Sequence, residues 1–440
     1  MKINKLIYIA TGWLLIGTPL HAQEMLTKSD AVSIALENNF DIRAANNDLE
    51  ISENSAKITN SGYLPNVSGS AGTNFSRTNS DLTLTDGSST TINGAPSSDA
   101  SASLNLDYTV FDGFGRMYDY KKLKENYNLS DLQSRAVMEN TLVNLFVSYY
   151  EIARLSENEL NQKQTLDISR ERWLRAKYSF EFGQNSQLDI LNAEVDYNTD
   201  SINYLTIVQQ LKNEKRNLNL LMGRDVSITF DVDTLIIFEE NLDYEVLNAL
   251  AMEKNATLNI EQGLLRNSHY DIKVASSSMI PKIGLNSSYG WNKNKFAPGN
   301  FLSERQSTSL NIGASLTWNI FDGGLSNTRR QNAKLAAENQ LINVERTELD
   351  LERQMQNAWT VYQTALFVLQ AEKKNLETNY RNFDRSKEQY GFGQITSIEF
   401  RQAQFNLLTA NLNYNQAKYS AKIAELVLLQ LSGTILEAQF

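Results

Sequence analysis

The sequence predicts a mainly α-helical protein that also contributes short β-strands to a membrane, with the whole plan written twice. Three observations carry this prediction. Short markers recur in one order at near-constant spacing, two stretches of 67 and 66 residues contain neither Gly nor Pro, and apolar and polar residues alternate strictly in the segments between. Helices need freedom from Pro, and half-buried strands show a period of two, so the two patterns mark different elements.

Residues 1–22 read as a signal peptide. Lys2 and Lys5 precede an apolar run from Leu6 to Ile16, then Pro19 and Ala22 before Gln23. That run is too short to span a bilayer, and a basic start followed by a small residue fits export.

The first repeat is expected over 23–223 and the second over 244–433, with 224–243 as a linker and 434–440 as a tail. Tyr63-Leu64-Pro65 recurs as Met279-Ile280-Pro281 at an offset of 216. Val110-Phe111-Asp112-Gly113, Phe182-Gly183-Gln184 and Leu221-Met222-Gly223 recur at 210, as Ile320-Phe321-Asp322-Gly323, Phe392-Gly393-Gln394 and Leu431-Ser432-Gly433. The difference of six lies before Phe111, where the first copy has a Ser/Thr/Asp/Gly-rich loop from Asp86 to Ser98. Repeats of this kind mark one structural unit used more than once.

Each copy opens on a helical run (Ser29 to Ser61; Tyr244 to Ser278). The Gly- and Pro-free stretches then predict helices over 114–182 and 324–390, each about 100 Å long if unbroken. Shorter helices are expected over 186–222 and 396–432. Uncapped helical patterns of this length point to a coiled coil or bundle.

Four strands are expected, about 64–76, 100–111, 282–292 and 308–321. The clearest alternation sets Leu310, Ile312, Ala314, Leu316, Trp318 and Ile320 against Ser309, Asn311, Gly313, Ser315, Thr317 and Asn319. A period of two over roughly ten residues suits a membrane barrel strand or a soluble sheet. The polar face is mostly small and uncharged, and Tyr63, Phe111, Tyr289, Trp291, Trp318 and Phe321 sit near the expected strand ends, which favours a membrane with an aromatic girdle. Four strands cannot close a barrel, and lipid does not tolerate an open edge, so other copies of the chain must complete the sheet. Three copies supply twelve strands.

Composition removes other classes of function. With Lys+Arg 41 against Asp+Glu 51, the net charge is −10, and nucleic acid is not an expected partner. The chain has no Cys and only two His, His21 in the leader and His269 in a helical run, so thiolate and multi-histidine metal sites are excluded. No phosphate-binding loop or nucleophile elbow occurs, and no pair of titratable groups converges at a recognisable spacing. No enzyme activity, cofactor or metal is expected. Lys121-Lys122 and Arg329-Arg330 read as solvated faces just below the strands.

The order helix, strand, strand, long helix, Gly turn, helix, repeated, resembles the TolC family of outer membrane efflux proteins over nearly the whole mature chain. The resemblance implies a homotrimer with a shared twelve-strand barrel in the outer membrane, continuous with a long α-helical tunnel crossing the periplasm. It implies a periplasmic adaptor and an inner-membrane pump as partners, for drug efflux or for type I protein secretion, with Arg224 to Asn241 and the tail in a belt around the tunnel.

It also places a gate. The family's tip turns run Tyr-x-x-Gly, then an acid, then Ala. Here that pattern is Tyr390-Gly391-Phe392-Gly393 with Glu399 and Ala403, and Phe180-Glu181-Phe182-Gly183 with Asp189 and Ala193. Ser186 and Thr396 would cap the returning helices, with Asp189 and Glu399 favourable near their starts. The other reading makes Glu399 of three copies an acidic ring at the tunnel mouth. Gln402 stands where the family has a second acid, so the ring has one layer. Ile395 stands where the family has an Arg, which puts an ionic lock there in doubt, and a Tyr390–Asp189 hydrogen bond is the expected substitute. Phe182, Gly183, Gln184, Phe392, Gly393 and Gln394 are the expected adaptor contacts. The alternative from a different class is an exported structural coiled-coil protein of the envelope, with the alternating segments forming a soluble sheet.

Overall fold

The computed structural model describes residues 24–184, 186–239, 242–297 and 301–437; the expected signal peptide lies outside them. The first half runs β1 (Glu24–Leu26), α1 (Lys28–Asn38), α2 (Phe40–Ser55), β2 (Asn66–Thr83), β3 (Ser89–Phe111), α3 (Gly115–Glu181) and α4 (Gln187–Leu221). A connecting strand, β4 (Phe230–Val232), pairs parallel with β1. The second half runs α5 (Tyr244–Lys254), α6 (Ala256–Ser277), β5 (Lys282–Lys295), β6 (Glu304–Thr317), α7 (Leu325–Gly391) and α8 (Ser397–Leu431). The halves repeat one plan down to length: α3 and α7 have 67 residues each, α4 and α8 35 each.

The expected single opening helix is two helices in each half, and an asparagine makes the break. Asn39 ends α1 and caps α2, its Oδ1 accepting from the N–H groups of Asp41 and Ile42 at 2.9 and 3.0 Å. Its Nδ2 donates to the Leu221 carbonyl at 2.7 Å. Asn255 does the same between α5 and α6, accepting from Leu258 N–H at 3.1 Å and donating to the Leu431 carbonyl at 3.0 Å. One side chain thus caps one helix start and takes a free carbonyl at another helix end.

The strands form one antiparallel sheet in the order β2-β3-β5-β6. The stretch expected as a loop from Asp86 to Ser98 is mostly strand, because β2 and β3 stay paired out to Thr83–Ser89. Backbone ladder bonds and Ser–Ser pairs such as Ser76–Ser97 at 2.7 Å hold a polar hairpin that composition alone reads as loop. The turn itself is short, with Leu84 N–H donating to the Ser88 carbonyl at 2.8 Å and Gly87 at φ +86°. The last strand ends at Thr317, not at 321 as expected. Its only partner among the described residues is β5, which starts at Lys282, and Pro281 before it has no N–H to continue the ladder. In β3 the same position is supported on its second side, where Phe111 pairs with Ile283.

Nearest the sheet, α2, α3, α6 and α7 lie side by side; further down, α4 packs on α3, α3 on α8 and α8 on α7. One lateral edge of the chain is therefore β2 with α2 and α4, and the other is β6 with α7. The main core lies where these ranks meet, around Leu142, Leu145, Phe146, Tyr149 and Tyr150 of α3, with Leu26, Phe230 and Tyr419 against them.

Candidate functional site

The strand register sorts residues onto two faces. Rows such as Gly69–Leu104–Tyr289–Leu310 and Val67–Leu106–Ser287–Ile312 share one face. Rows such as Ser70–Ser103–Gly290–Ser309 and Ser68–Asn105–Ser288–Asn311 share the other. On the apolar side Leu310, Ile312 and Leu316 are 62, 76 and 68% exposed, a large apolar surface that none of the described residues covers. No helix among the described residues is long and apolar enough to cross a membrane.

The expected girdle residues do not all sit at strand ends. Because β5 runs on to Lys295, closed by the Lys293–Glu304 ion pair at 2.8 Å, Tyr289 lies mid-ladder between Leu104 and Leu310. Trp291 lies between Ala102 and Thr308. Trp318 and Phe321 lie beyond the end of β6; Trp318 Nε1 donates to the Met279 carbonyl at 3.2 Å, and Phe321 is exposed. Tyr63 packs edge-on to Tyr120 at 6.2 Å under the Arg116 guanidinium, and Phe111 packs edge-on to Phe114 at 5.3 Å.

At the far end two helical hairpins make the tips. Gly183 and Gly393 have φ +71° and +74°, and the next residues, Gln184 and Gln394, donate back to Ser179 and Gln389 carbonyls at 2.8 Å. A left-handed glycine closing the last turn in this way suits a tight reversal. Phe182 and Phe392 project from the tips, 79 and 80% exposed.

Both tip acids close capping boxes. Asp189 Oδ2 accepts from Ser186 N–H at 2.9 Å, and Glu399 Oε2 accepts from Thr396 N–H at 2.7 Å. The hydroxyls of Ser186 and Thr396 accept in return from Asp189 N–H and Glu399 N–H at 3.3 and 3.2 Å. The Thr396 N–H, and then its hydroxyl, hold the Glu399 carboxyl below its ordinary range. The capping role is thus directly visible for both acids.

Within one chain the expected Tyr390–Asp189 hydrogen bond does not form. The Tyr390 ring stacks on Phe400 at 4.7 Å with 3° between planes, and Arg175 sits over it at 4.8 Å. An apolar stack takes the ring while Asp189 turns back to its own helix. Ile395 is half-buried against the cluster of Phe383, Phe400 and Ala403, so an apolar anchor occupies the place of the family's arginine. Gln402 is an exposed surface residue whose amide donates to Asn406 at 2.8 Å.

What sequence reasoning missed is an ionic cluster behind the tips. Arg401 on α8 meets both carboxylate oxygens of Asp200 on α4, Nη1 at 2.6 Å and Nη2 at 2.9 Å. Its Nε lies 3.5 Å from Asp196, which also receives Arg172 of α3 at 3.0 Å. The Ser169 hydroxyl donates to Asp200, and Arg172 reaches Ser397 at 3.1 Å. Two Asp one helical turn apart were a weak local signal, but their partners lie far away in sequence. The cluster ties the α3–α4 hairpin to the α7–α8 hairpin.

No group of three or more metal-ligating acids or histidines occurs among the described residues. The family described as "Outer membrane efflux protein" matches residues 31–224 and again 249–434. The chain belongs to that family. It is similar to the outer membrane efflux protein BepC of Brucella suis biovar 1 (strain 1330), at 20% identity over 97% of this chain and 90% of that one. It is also similar to the outer membrane protein TolC of Vibrio cholerae serotype O1, at 23% identity over 70 and 71% of the two chains. Among solved structures, the Campylobacter jejuni CmeC outer membrane channel matches with a TM-score of 0.79 at 18% identity, covering 99% of this chain and 94% of that one. VceC of Vibrio cholerae matches at 0.74 and 13% identity, covering 92 and 96%. This efflux protein is accordingly an outer membrane channel and not an enzyme, and the alternative of a structural envelope rod falls away.

Proposed function

We propose that three copies of the chain close a twelve-strand barrel in the outer membrane and a helical tunnel beneath it. One observation carries this. A four-stranded sheet with an uncovered apolar face ends in two free edges, β2 and β6, and free backbone groups are not tolerated in lipid. The edges differ, so closure joins β2 of one copy to β6 of the next, a heterologous contact that forms a ring. Four strands fall short of the smallest single-chain barrels, and three copies reach an adequate number. The helical edges, α4 on one side and α7 on the other, extend the same contact downwards, and the close match of the two halves supports an internal duplication.

The duct is passive. Energy comes from an inner-membrane pump joined through a periplasmic adaptor, and the exposed tip residues Phe182, Gly183, Gln184, Phe392, Gly393 and Gln394 are the adaptor contacts. Drugs or secreted proteins are the cargo. Glu399 of three copies faces the narrowed mouth; its cap uses Oε2, and its depressed pKa keeps it charged, so the ring attracts cations. Asp189, Tyr390, Ile395 and Gln402 surround that mouth. The aromatics Tyr63, Phe111, Trp291, Trp318 and Phe321 mark the lipid boundaries.

Electron microscopy of the detergent-extracted protein tests the assembly. Threefold cylinders of on the order of 100 Å or longer are expected from the helix lengths, and single chains or rods without a detergent belt would overturn it. For the ring, Glu399→Gln retains the capping geometry, and cation selectivity in planar bilayers should fall; unchanged selectivity would remove Glu399 from the gate.

A further inference from the structure

Both long helices begin with cations. Arg116, Lys121, Lys122 and Lys124 lie in the first turns of α3, and Arg329, Arg330 and Lys334 in those of α7, where residues 325–337 contain no acid. The backbone dipole disfavours a cation only within the first turn, which holds Arg116 alone of these residues. In a chain of net charge −10, these cations are gathered at one level. Like charges this close repel one another, and anions beside them relieve that repulsion.

The chain does not supply enough of them. Arg116 pairs with Asp112 at 3.3 Å and Lys122 with Asp271 at 2.5 Å. Lys121 and Lys124 lie over the rings of Tyr118 and Tyr120 at 5.4 and 4.7 Å. Within one copy, Arg329, Arg330 and Lys334 are exposed and make no ion pair among the described residues. Asp119 is the one acid among residues 115–124, and Asp322 caps the start of α7 through Ser326 N–H at 2.9 Å.

Position decides what the anion is. Immediately above these cations the chain exposes Phe114, Trp318, Ile320, Phe321 and Leu325, continuous with the apolar sheet face. At 1.5 Å per residue, Arg329 and Arg330 lie about 6–8 Å below Leu325 along the axis. A headgroup layer is about 5–8 Å thick on each side of the hydrocarbon. Helical side chains lean towards the N-terminus, here towards the sheet, so Lys124 and Lys334, about 13 Å down, also reach back to that level. Tyr63, Tyr118 and Tyr120 among them suit the same polar–apolar boundary.

We infer that Lys121, Lys124, Arg329, Arg330 and Lys334 form a basic collar that binds the phosphates of anionic phospholipids in the leaflet at the strand–helix junction. The inference rests on the sheet being the membrane-embedded part. Each cation near an anionic surface strengthens binding about fivefold.

The test is native mass spectrometry of the full-length detergent-extracted protein after partial delipidation, with phosphatidylglycerol or phosphatidylcholine of matched acyl chains added back. The wild type should retain phosphatidylglycerol preferentially, and R329Q/R330Q/K334Q should lose that preference roughly in proportion to the charges removed. K373Q/K374Q, far down α7, should keep it. Equal retention of the two lipids by the wild type, or an undiminished preference in the triple variant with unchanged circular dichroism, would overturn the collar. Full competition by inorganic phosphate would reassign it to a soluble anion. Solubility without detergent would overturn the membrane sheet as well, whereas a detergent-dependent protein indifferent to headgroup charge overturns the collar alone.

Discussion

Arg401 grips both carboxylate oxygens of Asp200, at 2.6 and 2.9 Å, and so joins α8 to α4 across the face of α3. The Asp200 side chain is 2% exposed and that of Arg401 18%. A bidentate pair of this kind is geometrically specific and strong in a dry setting. Removing one partner strands the other.

Arg401→Ala is therefore expected to destabilise the tip region by about 3–5 kcal/mol, because Asp200 is left buried and uncompensated. The double variant R401M/D200L should recover most of that loss. Denaturant unfolding of the wild type, R401M, D200L and R401M/D200L gives the coupling directly, and a double variant as unstable as either single would show that packing rather than charge is responsible.

Glycine substitutions should separate strain from clash. Gly183→Ala and Gly393→Ala meet no atom within 4 Å, so only the left-handed backbone costs, about 1–2 kcal/mol. At Gly223 an added Cβ would lie 2.2 Å from the Asn38 carbonyl oxygen, and at Gly433 2.8 Å from that of Lys254. Both must lose more folded protein than the tip variants, and Gly223→Ala more than Gly433→Ala. Yield of folded protein from the membrane measures the order.

Asn39→Ala and Asn255→Ala each remove a helix cap together with a bond to the end of α4 or α8. Each loss is expected to be about 1–2 kcal/mol, and Asp, which keeps only the cap, should recover part of it. Thermal melts of the four variants decide; an Asp variant as stable as the wild type would assign no role to the Nδ2 contact.

Two acids set opposite pH slopes. Burial pushes the Glu425 carboxyl above its ordinary 4.5, with the Lys422 ammonium at 2.5 Å opposing the shift. The folded state then holds that proton more tightly, so the Glu425 contribution is full below about pH 4.5 and is lost as pH rises through the folded value. Glu399 is depressed, so its contribution is present above 4.5 and lost as pH falls. Glu425→Gln should flatten the decline in melting temperature above pH 4.5, and Glu399→Gln the decline below it.

By itself the sequence determined the two long helices, the capping residues Ser186 and Thr396, and the period-two strands. These are local signals: a proline-free run, a glycine at a reversal, an acid three residues after a Ser or Thr. The long helices 114–182 and 324–390 were legible to within a residue for that reason. The tertiary structure alone decided what touches what. Asn39 was unremarkable until Leu221 arrived beside it, the expected girdle residue Tyr289 moved mid-ladder when its hairpin proved longer, and within one chain Tyr390 stacks on Phe400. Arg401 and Asp200 stand 201 residues apart, and no periodicity carries that pairing. It is set by how α8 rotates against α3 and α4, a choice made by close packing of whole helix faces rather than by any local stretch of chain.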